Sequence, residues 1–222
     1  DDATWSSFPA GSPASKLCGQ ARARLARTET KMPRVHAQVP TSLGRPYQGH
    51  MSTQQIFGLI LTEIGRSAPE VADRIVTVTP DVATSTNLGG WINKMGVWAR
   101  SEKDPMPDDI ARALTWQESP KGQHLELGIS ENNLFVALGQ LGLSYETQGE
   151  LLFPIGTLYD PFVRRGLDAL FYSVYSGGRF MVVGTPSGIS LGPEGGVHQS
   201  VLTPSIGAEL PDLAFYEPCF GQ

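Results

Sequence analysis

The chain has 222 residues and a mass of 23.9 kDa, with 40% hydrophobic and 18% charged residues, enough to bury one good core and form one domain with an irregular extension. Its net charge of -5 and isoelectric point near 5.4 exclude the basic surface that nucleic acid or an anionic membrane selects for, and no apolar stretch approaches the roughly 20 residues that span a bilayer. The first residues, Asp1-Asp2-Ala3-Thr4-Trp5, lack the basic start and apolar run of a secretory signal, and Cys18 and Cys219 have no metal-ligand spacing around them; the expectation is free thiols in a reducing cytoplasm and no metal site.

Residues 1–50 read as an arm and linker. Lys16, Arg22, Arg24, Arg27, Lys31, Arg34 and Arg45 against Asp1, Asp2 and Glu29 make this part locally basic, while the remainder is acidic. A short helix is expected over 15–28, after which Pro33, Pro40, Gly44 and Pro46 punctuate a linker that wraps its own domain, docks on a neighbour or stays mobile.

From Met51 the pattern is regular. Ser52 suits the cap of a helix carrying Ile56, Leu59, Ile60 and Ile64 on one face, and 74–79 (Arg-Ile-Val-Thr-Val-Thr) reads as a buried β-branched strand. Further along come a strand at 125–127, a helix over 132–143, a strand at 151–155, a long amphipathic helix over 161–175, and strands at 179–184 and 213–216. Strands alternating with helices predict an α/β fold of three layers, a mainly parallel sheet with helices on both faces. Ligands of such open sheets bind beyond the carboxyl ends of the strands.

The chemically informative residues fall at that edge: Asp81 after the first strand, Glu131 after the second, Tyr159 and Phe162 after the third, and His198 in a glycine-rich loop after the fourth. Each also has an ordinary reading. Glu131 suits a helix N-terminus, where the macrodipole favours a carboxylate by about 0.3–1 kcal/mol. Tyr159 and Phe162, three apart, suit a core face, and Asp81 suits a turn. His198 is less easily explained as packing, whereas His36, His50 and His124 show no partner spacing and read as surface residues. Residues 188–196 are glycine-rich but contain neither a P-loop nor the Gly-x-Gly-x-x-Gly fingerprint.

Several of these segments resemble a known family. Thr79-Pro-Asp-Val-Ala-Thr-Ser-Thr-Asn-Leu88 resembles the Ser-Ala-Asp-Leu-Ala-Pro-Ser-Asn segment of transketolases, and Glu194-Gly-Gly-Val-His-Gln199 resembles their Asp-Gly-Pro-Thr-His-Gln. The likeness to the homodimeric type of pyruvate dehydrogenase decarboxylating component is closer. There Lys-Gly-Gln-x-Leu-x-x-Gly-Ile-x-Glu resembles 121–131, Gly-Thr-x-Gly followed by Gly-Glu-Gly-x-x-His resembles 184–198, and a proline with Tyr five and Phe eight positions on recurs as Pro154, Tyr159 and Phe162. The resemblance covers about residues 51–218.

It implies the pyrimidine-binding, transketolase-like domain of a thiamine diphosphate enzyme, occupying 51–222 and incomplete at its C-terminus. In that family the glutamate matching Glu131 bonds a ring nitrogen of the aminopyrimidine and acts as a proton relay. The aromatics matching Tyr159 and Phe162 pack on the ring, Asp81 matches a cofactor-side aspartate, and the histidine matching His198 lies near the reacting carbon. The diphosphate and its magnesium belong to a separate domain carrying Gly-Asp-Gly, a motif that does not occur here. The implied partners are therefore a diphosphate-binding domain or subunit in a dimer or hetero-oligomer, and a lipoyl-bearing acyltransferase. The isolated chain is expected to be inactive. The implied reaction is decarboxylation of pyruvate with acetyl transfer to the lipoyl carrier; the alternatives are a transketolase and a silent partner-binding module.

Overall fold

The computed structural model describes residues 8–26, 37–43, 47–102, 116–190 and 192–221. The chain divides into two compact units, 1–34 and 35–222. In the first, the expected helix is α1 (Pro13–Leu25), capped by Ser12, whose Oγ accepts from the Ser15 amide at 3.2 Å. Arg27, Thr28, Lys31, Pro33, Arg34, His36, Gly44, Arg45 and Pro46 lie outside the described residues.

The second unit opens with α2 (Thr53–Ser67) and α3 (Pro69–Ala72), followed by β1 (Ile75–Thr79), α4 (Gly89–Met95), β2 (Val97–Trp98), β3 (Glu118–Ser119) and β4 (His124–Glu126). Then come α5 (Glu131–Gly142), α6 (Ser144–Gln148), β5 (Phe153–Tyr159), a 3-10 segment (Asp160–Gly166), α7 (Leu167–Tyr175), β6 (Met181–Thr185) and α8 (Thr203–Glu209). Ser52 and Gln55 cap α2 reciprocally, the Ser52 Oγ accepting from the Gln55 amide at 3.1 Å and Gln55 Oε1 from the Ser52 amide at 2.9 Å. The buried face of α2 differs from the expectation: Ile56, Gly58 and Leu61 are buried and Leu59 is exposed.

Among the described residues, six strands form one sheet in the order β3-β2-β4-β1-β5-β6, every neighbouring pair parallel. Alternation along the central strands splits the core into two layers. Val78 and Leu158 face Leu134, Phe135 and Leu138 of α5, while Ile75 and Ile155 face Leu61, Trp91 and Ile92 of α2 and α4. Each fully buried large apolar side chain stabilises by about 1.5–3 kcal/mol relative to leaving it in water. Gly156 lets α5 approach β5 closely, since a Cβ there would lie 2.5 Å from Leu138 Cδ1.

The α/β architecture is thus the one the alternating pattern predicts, with five local corrections. β5 runs on to Tyr159 rather than ending at 155. The expected helix over 161–175 begins as the 3-10 segment, its α-helical part starting only at Leu167. Residues 213–216 form no strand, and the two-residue strands β2 and β3 were not anticipated. His124, expected at the surface, is only 1% exposed.

Candidate active site

The loops after β1, β4, β5 and β6 all open at the carboxyl edge of the sheet, and they bring four of the expected residues into one chain of contacts. β5 delivers Tyr159 to that edge. The 3-10 segment then turns Phe162 back so that the two rings meet edge-on, centroids 6.0 Å apart. His198, on a 3-10 turn over Gly196–His198, completes the cluster at 5.3 Å from Tyr159 and 5.6 Å from Phe162. Offset and edge-on geometries of this kind are the favourable ones for aromatic rings.

Glu131 is the first residue of α5, and its side chain is only 8% exposed. Its Oε1 accepts from Arg165 Nη1 at 2.9 Å. The same guanidinium lies 3.8 Å above the Phe162 ring, joining the carboxylate to the aromatic cluster. Gly166 makes the approach possible, because a Cβ there would meet Phe135 Cδ2 at 2.4 Å and the Glu131 carbonyl at 2.9 Å. Arg165 was not singled out in the sequence; the signal was its position three residues after Phe162 in a helical turn.

Asp81 is not part of this cluster. It lies on the loop after β1 in a left-handed conformation, φ 66°, with its amide donating to Glu126 Oε1 at 2.7 Å. The loop reaches the cluster instead through Ser85, whose Oγ accepts from the Tyr159 hydroxyl at 2.9 Å. Asp81, Ser85, Trp98, Arg100, His124 and Glu126 line a cavity of about 730 Å³ beside it.

A polar ladder, buried at Thr77, Thr79 and His124, underlies that cavity. β1 and β4 place Thr77 opposite His124 and Thr79 opposite Glu126. The Trp91 indole donates to Thr77 Oγ1 at 3.0 Å, and the same hydroxyl lies 2.9 Å from His124 Nδ1. His124 Nε2 faces Glu126 Oε2, 3.5 Å away. Burial pushes the Glu126 carboxyl up, but the bonds to His124, Thr79 and the Asp81 amide outweigh it and hold the group below its ordinary value.

Asp160 behaves in the opposite sense. Burial raises its carboxyl, hydrogen bonds from Thr203 and Ser200 oppose this, and neighbouring Glu217 adds to the rise, leaving the group above its ordinary value. Thr203 Oγ1 donates to Asp160 Oδ2 at 2.9 Å and lies 2.9 Å from Ser200 Oγ, two residues beyond His198. Ser187, near the other end of the His198 loop, donates to Glu217. Two carboxylates thus tether both ends of the loop.

These opposite shifts predict opposite pH dependences. A carboxyl lowered by folding stabilises the protein above its unfolded value of about 4.3 for Glu and loses that contribution as pH falls through the folded value. A raised one stabilises at low pH and loses the contribution as pH climbs. The stability deficit of Glu126→Gln should therefore be largest near neutrality and shrink in acid. Asp160→Asn, which keeps an acceptor for Thr203, should gain on the wild type as pH rises. Thermal unfolding from about pH 3 to pH 7 measures both.

Gly188-Ile189-Ser190-Leu191-Gly192 spells Gly-x-Ser-x-Gly, the order of a serine-nucleophile elbow. The geometry is not one. Ser190 sits within the loop after β6, and its Oγ donates to the Ser187 carbonyl at 2.7 Å.

Comparison with known proteins follows the same line as the geometry. The model of the pyruvate dehydrogenase E1 component middle domain matches residues 34–222. The pyruvate dehydrogenase E1 component of Corynebacterium glutamicum is 26% identical over 172 residues, covering 77% of this chain and 18% of that protein. That of Mycobacterium tuberculosis is 27% identical over 172 residues, with the same coverage, 77% and 18%. The chain therefore spans under a fifth of the length of these curated relatives. Among solved structures, transketolase from Leishmania mexicana superposes with a TM-score of 0.55 at 16% identity, over 90% of this chain and 24% of that one. Transketolase from Campylobacter jejuni gives 0.56 at 14% identity, over 90% and 25%. The structural likeness speaks for the fold, and the family match, which takes in most of the sequence, shows that the chain belongs to the pyruvate dehydrogenase E1 component middle-domain family.

Proposed function

We propose that this chain supplies the aminopyrimidine-binding half of a thiamine diphosphate-dependent pyruvate dehydrogenase, the other half coming from a diphosphate-binding domain or subunit. The observation that carries the reading is the buried Glu131 carboxylate, joined through Arg165 to the Phe162 ring that Tyr159 and His198 flank, at the sheet edge where ligands of this fold class bind. The donor set fits such a ring. A flat, nitrogen-bearing group, the Arg165 guanidinium, already stacks on Phe162 while donating to Glu131.

Tyr159 and Phe162 would pack the ring, and Glu131 would bond its nitrogen and carry a proton to and from it. His198, within van der Waals reach of both aromatics, would hold or move a proton at the reacting carbon. When bound, the cofactor supplies the electron sink for decarboxylation. Excluding water around Glu131 strengthens its hydrogen bond, because the local dielectric is low. Asp81 belongs to the same edge but acts from the neighbouring loop. The cofactor's magnesium would be held by the partner domain; among the described residues no group of three His, Cys, Asp or Glu side chains could hold a metal ion.

On this reading 51–222 is the pyrimidine domain and 1–50 an arm. The chain is inactive until a partner completes the cleft in a dimer or hetero-oligomer, and the acetyl group passes to a lipoyl-bearing acyltransferase in the cytoplasm. The test is to combine the chain with a diphosphate-binding partner and follow pyruvate-dependent reduction of an artificial electron acceptor. Absence of turnover in a complex that assembles overturns the proposal, and ketol transfer between sugar phosphates in its place would make the protein a transketolase.

A further inference from the structure

Arg165 holds the two groups that the proposed function assigns to the aminopyrimidine. Its Nη1 takes Glu131 Oε1 at 2.9 Å, and its guanidinium covers the Phe162 ring at 3.8 Å. Tyr159 and His198 meet the same Phe162 ring, at centroid distances of 6.0 and 5.6 Å, so the ring's surroundings are already crowded. A planar ring that must both stack on Phe162 and donate to, or accept from, Glu131 needs the volume in which the guanidinium lies. The side chain is 50% exposed, so it can swing into solvent without opening the core.

We propose that Arg165 competes with the aminopyrimidine ring for Glu131 and Phe162, and so sets the affinity of this half-site. The inference rests on the functional reading above. The guanidinium resembles the ring in the features that matter: it is flat, it presents N–H donors in its plane, and it stacks on aromatic faces. Lysine could keep the ion pair but has no plane to stack.

The direction of the effect separates competition from simple attraction. Thiamine diphosphate is an anion, so a cation that merely drew it in would leave binding weaker when removed. Competition predicts the opposite. Arg165→Ala, assembled with the diphosphate-binding partner, should bind thiamine diphosphate with magnesium roughly five- to ten-fold more tightly by calorimetry, the scale set by releasing one half-exposed ion pair and one exposed cation–π contact. Arg165→Lys should fall between that variant and the wild type.

A second readout does not depend on affinity. In the wild-type chain, nuclear Overhauser contacts between the Arg165 side chain and the Phe162 ring should be present without ligand and vanish at saturation. Equal or weaker binding by Arg165→Ala, or contacts that persist at saturation, overturns the inference while leaving the functional reading in place. No binding by the assembled complex, whether it carries the wild type or either variant, overturns the reading and the inference with it.

Discussion

Glu131→Gln is expected to cut cofactor-dependent turnover of the assembled enzyme by about 10²- to 10⁴-fold, the range that positioned acid–base groups contribute, while the chain keeps its fold. Glutamine has the same shape and retains a carbonyl that can accept from Arg165 Nη1, so α5 and the 3-10 segment remain packed. What it lacks is a titratable oxygen. The ion pair it weakens has a half-exposed partner, and pairs of that kind contribute about 0–1 kcal/mol. Turnover and thermal midpoint therefore diverge. If Glu131 served only as a helix-terminal charge, the variant would lose about 0.3–1 kcal/mol of stability and turn over at the wild-type rate. Measuring both on one preparation decides between the roles, and wild-type turnover would remove Glu131 from the chemistry.

The same residue shows what the sequence can and cannot disclose. That Glu131 begins a helix at the carboxyl edge is legible, because the apolar run before it and the periodicity after it are local signals. Its pairing with Arg165 is not, since the partner lies 34 residues away and only the 3-10 turn brings it back. His124 was misplaced for a like reason: its neighbours in sequence give no hint of Thr77 on the adjacent strand, 47 residues distant. In retrospect the alternation of Thr77 with Thr79, and of His124 with Glu126, is the mark of two polar faces in register.

Strand ends failed where glycine and length mislead. Gly156 lowers strand propensity just beyond the expected end at 155, yet β5 runs through it and the missing side chain leaves room for Leu138. β2 and β3 have two residues each, too few to show a period. Residues 213–216 carry strand-like side chains, but among the described residues β6 pairs only with β5 and no strand lies beside them. Composition at that segment was satisfied by packing instead: Phe215 approaches Gly207 of α8 so closely that a Cβ on the glycine would lie 2.5 Å from the Phe215 Cβ.

Gly58→Ala carries the second large expectation, and here two principles disagree in sign. Alanine in the middle of α2 should stabilise the helix by about 1 kcal/mol over glycine. A Cβ at Gly58, however, would lie 2.1 Å from the carbonyl oxygen of Asn87, a backbone atom that cannot rotate aside. Nor is the loop around Asn87 free to retreat. Gln54 Nε2 donates to the Thr86 carbonyl at 2.6 Å, Thr86 Oγ1 lies 2.9 Å from Thr157 Oγ1 on β5, and Ser85 takes the Tyr159 hydroxyl at 2.9 Å. Overpacking typically costs about 1–3 kcal/mol and sometimes more; a backbone atom at 2.1 Å puts this site at the top of that range, so after the propensity gain a net loss of about 2 kcal/mol is expected. In a domain of this size that lowers the thermal midpoint by roughly 4–8 °C. The displacement should also travel. Pushing Asn87 outward draws on the segment that holds Ser85 against Tyr159, so amide exchange over 81–88 should accelerate more than exchange in α5. A midpoint that rises instead would mean that the β1 loop yields freely to α2, and that Ser85 does not fix the aromatic cluster.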